Sequence, residues 1–181
     1  MNLNEEDAKR FYNIWFKLLD YTNTKFNIVP DLNKLSHSTG INPKEISPIR
    51  DRLWLDNTVI DEVVDSNCLQ FSETDLALVS SWRNCVSDKF ILLKHLKKYS
   101  IFMGNKNIYG ATGIVSPFEE MFPSFALPLM VQTVLIPFEG RIIYDSLIAP
   151  FNIKFGGGAK KGFQDEYREL KSTKGIILTL E

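Results

Sequence analysis

The chain has 181 residues, of which 44% are hydrophobic and 12% aromatic, and its formal net charge is −1. This length and composition predict a globular protein with one well-buried core and exclude wholesale disorder. Residues 1–87 carry 9 basic and 13 acidic side chains, whereas residues 88–181 carry 12 basic and 9 acidic ones. The second half is therefore mildly basic, but much less so than a typical nucleic-acid-binding domain.

Cysteine usage and hydropathy predict the compartment. The two cysteines, Cys68 and Cys85, form no CxxC motif and no dense framework, which is typical of a reducing cytosol. The acidic, polar start of the chain is unlike a secretory signal peptide. The longest apolar stretch, Phe125–Phe138, contains two prolines and is too short to span a bilayer. We therefore expect a soluble, cytoplasmic protein.

The first helix is predicted over residues 4–21, where Asn4 can cap it and hydrophobic residues recur at helical spacing. Its aromatic stripe indicates a core face, and the alternative is an aromatic platform for a ligand. A short second helix is predicted over residues 31–38.

Capping signals predict the remaining helices of the first half. Asn42-Pro43 and Ser47-Pro48 each place a capping residue before a proline, which predicts two helix starts in quick succession. A break is expected at Asp56-Asn57. Ser72 then opens another helix, with Asp75 as its reciprocal cap. Residues 1–87 are thus predicted to be the helical part.

Residues 88–181 are predicted to be β-rich. Residues 89–103 are rich in β-formers, a turn at 105–107 follows, and residues 108–115 continue as a strand. The later elements are a short helix from Ser116 to about Met121, a central hairpin over 130–148, a helix over 159–171 and a last strand over 175–180.

The hairpin has one favoured register. A three-residue loop, Phe138-Glu139-Gly140, with a left-handed glycine and a G1 bulge places Pro137 opposite Arg141. Thr133 is then opposite Asp145. A two-residue loop is disfavoured because it requires a positive φ at the glutamate.

The element order predicts an α+β fold. We expect an N-terminal helical part packed on a C-terminal antiparallel sheet or small barrel of about five strands with two inserted helices, together forming one compact unit.

Several segments of residues 70–181 resemble an uncharacterised family of bacterial cytosolic proteins. These segments are KFILLKHLKKYSIFM, YGATGIVSPFEEM, LPLMVQTVLIPFEGRIIYDSLI, FGGG and GIILTL. Some longer members of that family carry a SEC-C zinc-binding tail, and the cysteine-rich tail has no counterpart in this sequence. The resemblance implies no activity and no catalytic residues.

A glycine run before a predicted helix is one candidate site. Gly156, Gly157 and Gly158 precede Lys160 and Lys161, and bare amides with two ammonium groups can hold an anion or a phosphorylated ligand. The spacing is not that of a P-loop, however. A flexible strand-to-helix turn is the favoured interpretation.

Asp145 is a second candidate, because strands disfavour aspartate. It is expected either to bond Thr133 or Arg141, or to line a site with Tyr144.

A third candidate is the basic cluster Lys94, Lys97 and Lys98. These lysines could follow a nucleic-acid backbone, but protection of a sheet edge or hairpin tip is the favoured interpretation.

Other constellations are weaker. Glu119 is interpreted as the capping-box partner of Ser116, and adjacent side chains on a helix point apart, so Glu119 and Glu120 are not interpreted as a catalytic pair. A zinc site would need His37 and His95 to converge with both cysteines from unrelated segments, so no metal and no cofactor is predicted.

The preferred hypothesis is a non-enzymatic binding or interaction module whose partner is a protein or an anionic small molecule. The alternatives are an enzyme or binder for a phosphorylated ligand, and a weak, non-specific nucleic-acid binder.

Overall fold

The computed structural model describes residues 1–30, 32 and 42–180. Apart from residue 32, the helix predicted over 31–38 lies outside these residues. The chain divides into a helical unit, Glu5–Arg83, and a β unit that joins Met1–Asn4 to Asn84–Glu181. Among the described residues, no helix is both long and apolar enough to cross a membrane.

The helical unit is built around a cluster of aromatic rings. Trp15 stacks on Trp54 with ring centroids 5.6 Å apart, and Trp82 lies 6.3 Å from Trp15. Phe11 packs on both Trp15 and Trp82. The aromatic stripe of the first helix is thus a core face, as predicted. The four helices of this unit are α1 (Glu5–Phe26), α2 (Pro43–Leu53), α3 (Thr58–Ser66) and α4 (Glu73–Ser81).

The prediction of two helix starts between residues 42 and 48 is wrong. Asn42 caps α2 by accepting a hydrogen bond from the Lys44 amide, but Pro48 lies inside the same helix. The proline removes one backbone donor. Burial of Ile46, Ile49 and Leu53 on one face keeps both halves in a single helix, because packing outweighs one lost hydrogen bond.

The two other signals in this part are confirmed. The chain leaves helical structure between α2 and α3, at the predicted break. The Ser72 hydroxyl accepts a hydrogen bond from the Asp75 amide at 3.1 Å and so caps α4.

The β unit is a five-stranded closed sheet, which confirms the α+β prediction. Its strands follow the order β1-β2-β3-β5-β4 around the closed sheet. The pairs are antiparallel except β3 with β5, which is parallel and was not predicted. The elements are β1 (Val86–His95), β2 (Ser100–Gly104), β3 (Asn107–Thr112), α5 (Phe118–Met121), β4 (Leu129–Phe138), β5 (Arg141–Pro150) and α6 (Gly157–Thr173).

In this order β1 pairs with both β2 and β4, and a helix connects β3 to β4. Residues 86–92 of β1 pair with β4, and residues 91–95 pair with β2. A bulge lies between Leu92 and Lys94. The fold alone assigns no function.

Both faces of β2, of β3 and of Phe90–Leu93 in β1 are buried. On the inner face, the rings of Phe102 and Tyr109 meet Phe90 edge-on. On the outer face, an aliphatic layer packs against Tyr167 of α6. This layer consists of Ile91, Leu93, Ile101, Met103 and Ile108.

The predicted strand over residues 175–180 is wrong. Only an isolated parallel bridge joins Ile177 to Tyr109, with the Ile177 amide donating to the Ile108 carbonyl at 2.8 Å. The outer neighbour of β3 is therefore a short extended segment rather than a sixth strand.

The predicted loop of the central hairpin is also wrong. Phe138 pairs with Arg141, which leaves a two-residue turn of Glu139 and Gly140. Their φ values are 47° and 70°, the left-handed pair of a type I′ turn. The twist of this turn matches that of the strands, and this match outweighs the penalty for a left-handed glutamate.

Candidate functional site

Asp145 lies in a wide bulge of β5. Between the pairs Leu135–Tyr144 and Thr133–Ile148, β5 has three residues where β4 has one. The Asp145 carboxylate accepts a hydrogen bond from the Leu147 amide at 3.3 Å. Thr133 donates to the Leu147 carbonyl at 2.7 Å, so the predicted pairing of Thr133 with Asp145 is wrong. The register differs because Ser146, with φ 76°, bends the strand at this point.

The structure does not bring Tyr144 and Asp145 into one site. The Tyr144 ring packs 5.1 Å from Phe118, and its hydroxyl lies 3.8 Å from the Met121 sulfur. Asp145 is 0% exposed, and its negative charge acts on the Cys85 thiol. Burial, and then the negative charge of Asp145, raise the pKa of the Cys85 thiol to about 11. The thiol is therefore a poor nucleophile at neutral pH.

The glycine run forms the start of α6. Gly156 is the N-cap residue with no side-chain cap, and its carbonyl accepts from the Lys160 amide at 3.1 Å. All three glycines and both lysines are exposed. The position at a helix start agrees with the sequence, and anion binding at Gly156–Gly158 stays a prediction.

The lysine cluster is divided by the structure. The Lys94 ammonium lies 3.8 Å from the centroid of the Tyr167 ring, a cation–π contact. Lys97 and Lys98 are exposed in the β1–β2 turn. The outer face of β2 and β3 is covered by α6. Nucleic-acid binding by these lysines stays a prediction, with Lys94 already engaged.

His95 makes a hydrogen bond at each ring nitrogen. Its Nδ1 lies 2.7 Å from the Ser100 hydroxyl and its Nε2 lies 2.8 Å from the Phe122 carbonyl. Because Nε2 must donate to that carbonyl, the neutral ring accepts at Nδ1. His37 lies outside the described residues. Within the described part of the chain, no three His, Cys, Asp or Glu side chains are grouped to hold a metal ion.

The most exposed large apolar side chain among the described residues lies in a segment for which the sequence predicts no site. Residues 122–128, here named the Phe125 loop, connect α5 to β4. The Phe125 side chain is 88% exposed. The sequence signal is an aromatic residue between Pro123 and Pro128, at the start of the apolar stretch Phe125–Phe138.

Local hydrogen bonds fix the shape of the Phe125 loop. The His95 ring holds the Phe122 carbonyl, and the Phe122 amide donates to the Phe118 carbonyl at 2.8 Å. A 3-10 turn over Ser124–Ala126 closes with the Ala126 amide donating to the Pro123 carbonyl at 2.8 Å. The loop thus presents an aromatic ring to solvent on an ordered backbone.

Comparison with known proteins adds no assignment. No family model matches the chain, and neither a curated protein nor a solved structure matches it. The resemblance to an uncharacterised bacterial family therefore stays a prediction.

Proposed function

We propose that this protein is a non-enzymatic, cytosolic interaction module that binds a protein partner through the Phe125 loop. The observation that carries this proposal is the 88% exposure of the Phe125 ring on a hydrogen-bonded backbone. Single exposed apolar side chains are common on protein surfaces. Phe125 is proposed as a contact because phenylalanine is enriched at interfaces and its backbone is fixed by hydrogen bonds. The partner it fits is a protein with an apolar pocket of the size of one aromatic ring.

The energetics favour a single-anchor contact. Full burial of a phenylalanine side chain is worth about 1.5–3 kcal/mol. An ordered loop loses little conformational entropy on binding, so most of this free energy contributes to affinity. As a hot-spot residue, Phe125 would account for at least about 2 kcal/mol, which corresponds to roughly a 30-fold change in Kd.

The cytosolic location is supported by the cysteines. Cys68 is exposed and both cysteines are free thiols. A free exposed thiol persists best in a reducing compartment.

The test is site-specific photo-crosslinking in cells that produce the full chain. A benzoylphenylalanine residue at position 125 should give a discrete protein adduct, whereas the same residue at exposed Lys161 should not. The captured partner is then titrated against the wild type, Phe125→Ser and Ile153→Ser, the last being a matched change at another exposed apolar residue.

The expected result is a Kd about 30-fold higher for Phe125→Ser, with Ile153→Ser close to the wild type. The proposal fails if the adducts from positions 125 and 161 are the same, or if Phe125→Ser binds as tightly as the wild type.

A further inference from the structure

A surface cleft of about 190 Å³ lies within the β unit, distinct from the Phe125 loop. Strand β1, the β2–β3 turn and helix α6 form its walls. Its lining includes three apolar residues, Ile91, Met103 and Leu170. The first two belong to the aliphatic outer layer of the sheet, and the third packs against that layer from α6.

The cleft also carries charges of both signs. Two cationic residues, Lys89 and Lys106, and one anionic residue, Glu166, are among the residues that line it. The Lys89 ammonium also lies 5.6 Å from the centroid of the Phe151 ring. Asn105 and Asn107 add amide groups that can donate or accept hydrogen bonds. This combination of two cations, one anion and an apolar wall matches a small molecule that has a carboxylate, an ammonium group and a short apolar body.

An independent observation points to Lys106. Gly104 pairs with Asn107, so Asn105 and Lys106 form a two-residue turn with φ values of 48° and 56°. Glycine is strongly preferred at the second position of this type I′ turn, because a side chain there strains the backbone. Residues held in a left-handed conformation often lie at functional sites, although Glu139 adopts the same conformation in the turn of the central hairpin.

The position of Lys106 is also fixed from α6. The Lys174 ammonium donates to the Lys106 carbonyl at 2.8 Å, which ties the end of the helix to the turn. The turn and the helix that supply the charged groups of the cleft are thereby connected.

We propose that this cleft binds a small zwitterion of the α-amino acid class with an aliphatic side chain. The carboxylate of the ligand contacts Lys89 and Lys106, its ammonium contacts Glu166, and its side chain contacts the apolar residues of the cleft. Because these charged groups are exposed to water, each contact is weak, and a millimolar Kd is expected for a ligand of this size.

The test uses methyl NMR on the full chain with three probes that share an isobutyl group: L-leucine, isovalerate and isopentylamine. L-Leucine should shift the methyl signals of Ile91 and Met103 saturably. The two singly charged probes should bind at least about fivefold more weakly, because each loses one charge contact. The proposal is overturned if L-leucine gives no saturable shift up to about 50 mM, or if isovalerate binds equally well.

Three variants assign the roles. Lys106→Gly removes the backbone strain of the turn, so it should raise the urea midpoint of the β unit. It should also weaken the binding of L-leucine at least about threefold, because the charge is lost. Lys106→Gln keeps the strain and removes the charge, so it should weaken the binding of L-leucine by the same factor as Lys106→Gly. Glu166→Gln should weaken the binding of L-leucine but not that of isovalerate.

Lys161→Gln and Glu169→Gln are the matched controls, since both residues are exposed on α6 and neither lines the cleft. Equal effects of Glu166→Gln and Glu169→Gln, or unchanged L-leucine affinity in Lys106→Gly and Lys106→Gln, would disprove the assignment.

Discussion

The same substitution, glycine to alanine, should have opposite effects on stability at two exposed positions of the β unit. Gly140 has φ 70° in the hairpin turn, whereas Gly162 lies inside α6. A Cβ atom added at either position would meet no atom within 4 Å. Neither substitution creates a steric clash, so the backbone conformation alone decides whether the free energy of unfolding rises or falls.

The magnitudes follow from backbone energetics. A left-handed conformation costs an alanine about 1–2 kcal/mol, and the loss of unfolded-state freedom returns about 0.4–1 kcal/mol. Gly140→Ala should thus lower the free energy of unfolding by about 1 kcal/mol. Gly162→Ala removes a glycine from a helix interior and should raise it by about 0.5–1 kcal/mol.

The assay is a urea titration that follows backbone amide signals of the sheet and of α6 separately. Tryptophan fluorescence is unsuitable, because Trp15, Trp54 and Trp82 all belong to the helical unit. With a slope of about 2 kcal/mol/M, the two midpoints should move by roughly 0.5 M in opposite directions. Shifts of the same sign at constant slope would refute the assignment of the left-handed turn to Gly140.

Three further predictions concern reactivity and binding. Ellman's reagent at pH 8 should modify exposed Cys68 at least about tenfold faster than Cys85, and Asp145→Asn should accelerate the reaction of Cys85, because losing the carboxylate charge lowers the pKa of that thiol. Treatment with EDTA should leave the Tm unchanged, since the described residues contain no grouped metal ligands, and stoichiometric zinc in the purified protein would contradict this. Single-stranded oligonucleotides should bind only weakly and lose affinity steeply between 50 and 200 mM salt, as measured by fluorescence anisotropy. The double change Lys97→Glu and Lys98→Glu should weaken that binding further, and sub-micromolar binding at physiological salt would contradict the prediction.

Local signals predicted much of the fold. The caps at Asn42 and Ser72 act within one helical turn, and the structure contains both. The α+β class follows from the periodicity of the hydrophobic residues in each half. These features depend on neighbours a few residues away, which a single sequence contains.

Features that depend on distant partners were missed. The parallel pairing of Ala111 with Ile142 joins segments 31 positions apart and leaves no local signal. Pro48 stays inside α2 because of burial, which the Ser47-Pro48 motif does not encode. In the hairpin, the positive φ of Glu139 costs backbone energy, as expected. The two-residue turn forms nevertheless, because its twist matches that of the two strands.

Some residues break a local preference for a reason that the structure shows. For others, we propose a functional reason. Asp145 was conspicuous as an aspartate in a strand, and the bulge explains it, because its carboxylate holds the Leu147 amide where the ladder is interrupted. Lys106 occupies a position that favours glycine, and Phe125 places an aromatic ring in water. Because exceptions to local rules persist where function requires them, the cleft beside Lys106 and the Phe125 loop are the two places in the β unit to probe first.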